Sequence, residues 1–139
     1  MNLIISKVET KEDFKELYSF FDSLTTEFNT NKLTKQQLKE AEILMIMKVN
    51  NKIVGLSGIL KLYKFIPFFF IIISNNNQRK GYGKLLLEEV HNELYENHFF
   101  STIKIRKSNL RSIKVHESAK YRRFFSICKN NYYIRWRVE

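Results

Sequence analysis

The chain has 139 residues, 44% of them hydrophobic, with one cysteine and a formal net charge of +10. That length suits one domain (residues 1–139) with its own core, and that hydrophobic fraction excludes a disordered chain. No run is long enough to cross a membrane, residues 1–10 lack the basic start and apolar stretch of a signal peptide, and lone Cys128 excludes an internal disulfide, so a reducing cytoplasm is expected.

Cys128 lies in an apolar run and reads as a buried structural thiol. Three histidines and one cysteine show no ligand spacing, so no metal site is expected. The positive charge is concentrated late: residues 101–139 hold eleven basic and two acidic residues. This region either attracts an anion, a nucleic acid included, or is a solvated basic surface.

In chain order, residues 2–8 alternate weakly as a first strand. Thr10 and Asp13 form a capping-box pattern, and Phe14, Leu17, Tyr18 and Phe21 follow helical spacing over 11–23. Thr34 and Gln37 make a second capping box before a short helix. Apolar runs at 43–49 and 53–63 flank Asn50-Asn51, a tight hairpin turn. Pro67 marks the next turn, and residues 68–73 form a core strand rich in aromatic and β-branched residues. A helix over 83–97 carries Leu86, Leu87, Val90 and Leu94 inward, with His91 on its surface and His98 a surface group or cap at its end. Residues 101–106 alternate as a strand, a helix spans about 109–119, and two strands near 122–128 and 132–138 flank a turn at 129–131. In the last strand Ile134, Trp136 and Val138 share a face opposite Tyr133, Arg135 and Arg137.

The most informative segment is FFFIIISNNNQRKGYGKLLLEEV, residues 68–90. A strand ends, a polar turn follows, and a basic loop with Gly81 and Gly83 runs into a helix. Backbone amides of Arg79, Lys80, Gly81, Tyr82, Gly83 and Lys84 gather at that helix start, where the dipole favours an anion. Lys80 and Lys84 add charge, so a pyrophosphate cradle is expected; the alternative is glycines that serve turn geometry alone. The loop has neither a Gly-x-Gly-x-x-Gly fingerprint nor a Gly-Lys-Ser/Thr ending.

Gln78, Gly81 and Gly83 complete the pattern Gln/Arg-x-x-Gly-x-Gly/Ala, and the loop thereby resembles motif A of the GCN5-related N-acetyltransferase (GNAT) superfamily. The element order β-α-α-β-β-β-α-β-α-β-β is similar to that family's from end to end. The resemblance implies an α/β (α+β) GNAT fold: a twisted, mixed but mostly antiparallel sheet of about seven strands flanked by about four helices. It also implies that the 78–84 loop binds the pyrophosphate of the cosubstrate acetyl-coenzyme A (acetyl-CoA).

Residues 109–121, NLRSIKVHESAKY, partly resemble motif B, Asn-x-x-Ala-x-x-x-Tyr-Glu-Lys-x-Gly-Phe. Asn109 and Glu117 match, Ser112 is small where Ala is usual, and His116 stands at the tyrosine position. Asn109, Ile113 and His116 share a helix face. The resemblance implies that this face meets the pantetheine arm. Asn109 then bonds that arm, caps its helix, or both. His116 protonates the departing thiolate as histidinium, deprotonates the amine as neutral imidazole, or has no role. The amide of Ile73 or a neighbour is expected to polarise the thioester carbonyl.

The implied reaction is direct transfer of an acetyl group to a primary amine in a ternary complex. The acceptor is a small molecule, peptide or protein, and monomer and homodimer both remain open. No carboxylate occurs in 65–73 to serve as the base, and Tyr63 and Tyr82 are hydroxyl candidates or packing residues. Tyr18, Phe21, Phe28 and Phe65 line an acceptor pocket or pack the core. Two other readings are a weak or inactive coenzyme A-binding protein and a protein that acts on or binds RNA, such as aminoacyl-tRNA, through Lys104, Arg106, Arg135 and Arg137.

Overall fold

A computed structural model describes residues 2–24, 33–62, 66–78 and 80–137. Expectations that fall on Phe28, Tyr63, Phe65, Arg79 and Val138 therefore lie outside the described residues. The elements run β1 (Leu3–Lys7), α1 (Lys11–Leu24), α2 (Lys35–Glu40), β2 (Ile43–Val49), β3 (Lys52–Leu62), β4 (Ile66–Ile73), α3 (Tyr82–Leu94), β5 (Phe100–Arg106), α4 (Leu110–Ser118), β6 (Arg122–Ile127) and β7 (Asn130–Trp136). One seven-stranded sheet has the order β1-β2-β3-β4-β5-β7-β6. Every neighbouring pair is antiparallel except β4 and β5. This is the mixed, mostly antiparallel sheet that the resemblance implies.

Local chemistry sets the element ends. Thr10 and Asp13 bond reciprocally at the start of α1, at 3.1 and 3.2 Å, and Thr34 and Gln37 do the same for α2 at 3.1 and 2.9 Å. Asn50 and Asn51 take φ of 51° and 66°, the paired left-handed conformation of a two-residue hairpin loop that asparagine tolerates. Pro67 corrects its sequence assignment as a turn marker. It is the second residue of β4, opposite Lys61. It stands before the single β4–β5 register pair, where a missing N–H costs no ladder bond.

Two apolar clusters sandwich the sheet. On one face α1 and α2 bring Leu17, Phe21 and Leu38 onto Leu44, Ile46, Leu56, Leu60 and Phe70. Phe21 is thus core. On the other, α3 brings Leu86, Leu87, Val90 and Leu94 onto Met45, Met47, Phe69, Ile103, Ile105 and Tyr133. Side chains alternate across a strand, so this division follows from the period of two.

Cys128 and His91 reverse their sequence assignments. Cys128 is exposed, because it sits in the two-residue turn between β6 and β7 with φ of 53° rather than within a strand. His91 is completely buried. Its Nδ1–H donates to the Leu87 carbonyl at 2.7 Å, leaving Nε2 as the acceptor, 2.6 Å from the Tyr121 hydroxyl and 2.9 Å from Ser101 Oγ. Those two oxygens are 2.7 Å apart, closing a polar triangle inside the α3 face of the core. Partners from α3, β5 and the residue before β6 satisfy the ring, which is why a polar residue at a helical position faces inward. His98 pairs with Glu42 at 2.5 Å.

Burial pushes the His91 imidazole down to about 4 from 6.5, against the opposing bond to Leu87. The folded state thus holds His91 neutral, while the unfolded chain takes up a proton below about 6.5. Stability is fully present above that pH and is lost as pH falls toward about 4, with a slope approaching about 1.4 kcal/mol per pH unit. Thermal unfolding followed from pH 7 to pH 5 is expected to show a falling Tm, with a shallower fall in His91→Gln. A flat parent profile would contradict this assignment.

Candidate functional site

The site begins with a mismatch between β4 and β5. These parallel neighbours register only at Phe68↔Thr102, with the Thr102 hydroxyl donating to the Pro67 carbonyl at 3.1 Å. Beyond that point no β4–β5 pair exists, although β4 continues to Ile73 and β5 to Arg106. On its other edge β4 stays paired with β3 as far as Gly55↔Ile73, and the Ser74 amide donates to the Val54 carbonyl at 2.9 Å. Alternation then directs the backbone groups of Phe68, Phe70 and Ile72 toward β3. Those of Ile71 and Ile73 face the gap beyond the last β4–β5 pair. A gap bordered by strand amides and carbonyls accepts an extended amide-bearing chain as an added strand does.

The cradle lies past the end of β4. A 3-10 turn at Asn75–Asn77 is held by Asn77, whose side-chain amide donates to Ser74 Oγ at 2.7 Å. Gln78 then ties the loop down: its Nε2 donates to the Ile73 carbonyl at 3.1 Å, and its Oε1 accepts from the Arg111 guanidinium of α4. Gly81 is the N-cap of α3 at φ 80°, ψ 3°, a left-handed conformation that glycine adopts without strain. Among the described residues no side chain caps this helix start, whereas Asn109 and Thr34 cap α4 and α2. A Cβ on Gly81 would meet nothing within 4 Å, so open space lies above the helix end. Amides of the first turn point along the axis into that space, where the dipole stabilises negative charge.

The neighbouring side chains fall into two groups. Lys80 and Lys84 are exposed, with Lys80 Nζ 6.0 Å from the Tyr82 ring. The Tyr82 side chain is buried in the core, so only its backbone can serve the cradle. Gly83, in the first turn of α3, would place a Cβ 3.7 Å from Ile73 Cγ1. Across the sheet a Cβ on Gly55 would come within 2.6 Å of Ile73 Cδ1, so Gly55 leaves room for the Ile73 side chain. Neither Gly55 nor Arg111 is singled out by sequence reasoning, because both act through partners distant in the chain.

Helix α4 supplies the third part. The side-chain Oδ1 of Asn109 accepts the Ser112 amide at 3.2 Å, so Asn109 is an N-cap. His116 is 2% exposed, with its ring edge-on to Phe69 at 5.9 Å and to Tyr121 at 5.5 Å. Its Nδ1 lies 2.7 Å from the Ser112 carbonyl. A carbonyl only accepts, so Nδ1 carries the proton and Nε2 presents a lone pair. That Nε2 is buried and has no partner among the described residues. Burial lowers the His116 pKa from 6.5, against the opposing Ser112 bond. At neutral pH the ring is therefore an acceptor.

Arg135 faces inward, correcting its place among the sequence-assigned surface cations. Its guanidinium grips Glu88 of α3 at 3.0 and 3.3 Å. Burial alone would raise the Glu88 carboxyl, but Arg135 outweighs it and holds the carboxyl below its usual value, so Glu88 stays ionised. Arg137 donates to the Tyr95 carbonyl at 3.1 Å. Glu117 is exposed, pointing away from buried His116 as helix geometry requires. Among the described residues no group of three or more histidine, cysteine, aspartate or glutamate side chains is placed to hold a metal ion, and no helix is long and apolar enough to cross a membrane.

The sequence model of the acetyltransferase (GNAT) family matches residues 8–121. No curated protein sequence matches the chain. Among solved structures, a GNAT-family acetyltransferase from Streptococcus pneumoniae aligns with a TM-score of 0.75 at 20% identity, covering 96% of each chain. The ribosomal-protein-S18-alanine N-acetyltransferase of Escherichia coli gives 0.72 at 18% identity, covering 96% of this chain and 91% of that one. The yncA protein of Salmonella typhimurium, solved with its cofactor acetyl-CoA, gives 0.75 at 13% identity, covering 96% and 93%. These likenesses show a shared fold, and the family match spans most of the sequence: the chain belongs to the acetyltransferase (GNAT) family.

Proposed function

We propose that the protein transfers an acetyl group from acetyl-CoA to a primary amine by direct attack in a ternary complex. The observation that carries this reading is the β4–β5 gap, which opens beside the uncapped start of α3. In this reading the amides of residues 79–84 hold the pyrophosphate, Lys80 and Lys84 offset its charge, and Gln78 fixes the loop to β4. The gap-facing groups of Ile71 and Ile73 bind the pantetheine arm, and the α4 start at Asn109 borders it. The thioester supplies an activated acyl group whose leaving thiolate, with a conjugate acid near 8.5 for a comparable thiol, departs without an acid.

His116 then works as a proton acceptor. Its fixed tautomer leaves only the Nε2 lone pair, and burial disfavours the histidinium that donation would need. The imidazole takes the proton released by the attacking amine, directly or through one water. An amide of the gap-facing set polarises the acyl oxygen, and positioning of the amine beside it provides much of the remaining rate. The acceptor is a small amine or the amine of a peptide or protein, and the site is expected in a reducing cytoplasm.

Two experiments test this. Millimolar acetyl-CoA is expected to raise the Tm of the parent, by about 2.7 kcal/mol of apparent stability at a hundredfold excess over Kd, with no shift in a folded Gly81→Glu variant. An equal shift in the variant would remove the cradle, and no shift in the parent would remove the donor. In a free-thiol release assay with an accepted amine, His116→Phe is expected to lower kcat about a hundredfold with acetyl-CoA affinity retained. Unchanged kcat would remove the proton-acceptor role.

A further inference from the structure

Among the described residues, α1 and α2 cover only part of one sheet face and leave its β5, β7 and β6 strands open. Facing residues in β5 and β7 pair as Phe100↔Trp136, Thr102↔Ile134, Lys104↔Tyr132 and Arg106↔Asn130, and β6 adds Arg122↔Ile134, Phe125↔Tyr132 and Ile127↔Asn130. Directly opposed residues stand on the same side of a sheet. Their opposite side, with Ile103, Ile105 and Tyr133, is packed in the α3 core. The α1–α2 cluster draws its sheet residues from β2, β3 and β4 and none from β5, β6 or β7. Trp136 is therefore 60% exposed, Ile127 55% and Phe125 40%, and Lys104, Arg106 and Arg122 are exposed beside them.

The chemistry of this face is specific. Aromatic rings and cations share this face across three strands, and Phe125 lies parallel on Tyr132, with centroids 4.4 Å apart and planes at 10°. No aspartate or glutamate occurs in residues 100–107 or 121–137. A second copy is a poor occupant, because two such faces would oppose their own cations. Edge pairing through β6 is also disfavoured by the irregularity between Arg123 and Phe125, since a bulge breaks the register. An acidic polypeptide would match the charge but has no reason to need exposed flat rings. Phosphates spaced along a strand of unpaired bases match both the cations and the rings.

We propose that the open face of β5–β7–β6 binds a single-stranded nucleic-acid segment, with bases stacking on Trp136 and the Phe125–Tyr132 pair and phosphates on Lys104, Arg106 and Arg122. This surface lies on the sheet face opposite α3, and its occupancy does not depend on acetyl transfer.

Trp136 is the sole tryptophan, so its fluorescence reports this face directly. The test titrates the full chain with an unstructured oligouridylate of about 12 nucleotides at several salt concentrations. Saturable change in Trp136 emission is expected, with affinity falling as salt rises. Lys104→Gln with Arg106→Gln is expected to reduce the salt slope by about 1 to 2, and Tyr132→Ala to weaken binding about tenfold at every salt concentration. Matching Tm values confirm that the variants fold. Unaltered Trp136 emission in the parent would overturn the proposal. So would heparin or polyglutamate binding as tightly as the oligonucleotide with the same dependence on Tyr132, or sedimentation showing a dimer that buries Trp136.

Discussion

Everything in the candidate site depends on the separation of β4 from β5 after Phe68↔Thr102. Parallel strands that stayed in register to Ile73 would satisfy each other's backbone groups and leave nothing for a ligand. Because β3 holds the other edge of β4 throughout, the strand diverges from β5 without losing order. Its gap-facing amides and carbonyls are thus rigidly presented. The Gln78 side chain extends the constraint, joining the end of β4, the loop and Arg111 of α4.

Burial then decides the chemistry of the ionisable groups nearby. His91 and His116 each give Nδ1–H to a carbonyl one helical turn earlier, yet differ at Nε2. In His91 that atom meets Tyr121 and Ser101, whereas in His116 it meets no protein partner among the described residues. The first histidine is held within the core. The second has one unused acceptor beside Phe69, the residue just beyond the β4–β5 register pair. Burial also raises the Tyr121 hydroxyl pKa, so this phenol remains a donor to its neighbours.

Local signals made much of the fold legible. Paired capping boxes, the Asn50-Asn51 turn and the apolar periodicity of α3 are chemistry within a few residues, and each element formed where that chemistry placed it. The turn at the candidate cradle was legible for the same reason: Gly81 takes a left-handed φ that glycine adopts without strain. What stayed hidden depends on distant partners. Alternation in β7 separates Ile134 and Trp136 from Tyr133 and Arg135, but hydrophobicity alone would bury the first pair. Register with β5 and the Glu88 carboxylate bury the second instead. His91 is inward because Ser101 and Tyr121 are there to receive it, and Gly55 matters because Ile73 lies against it.

The most direct measurement is amide hydrogen exchange in β4 with and without acetyl-CoA. The Ile71 and Ile73 amides are expected to exchange rapidly in the free protein and to become protected on binding, together with amides of the Gly81 loop. The Ile72 and Ser74 amides, already bonded toward β3, are expected to be slow in both states. Protection of Ile71 and Ile73 without cofactor, or no change at either on saturation, would contradict a ligand-binding gap between β4 and β5.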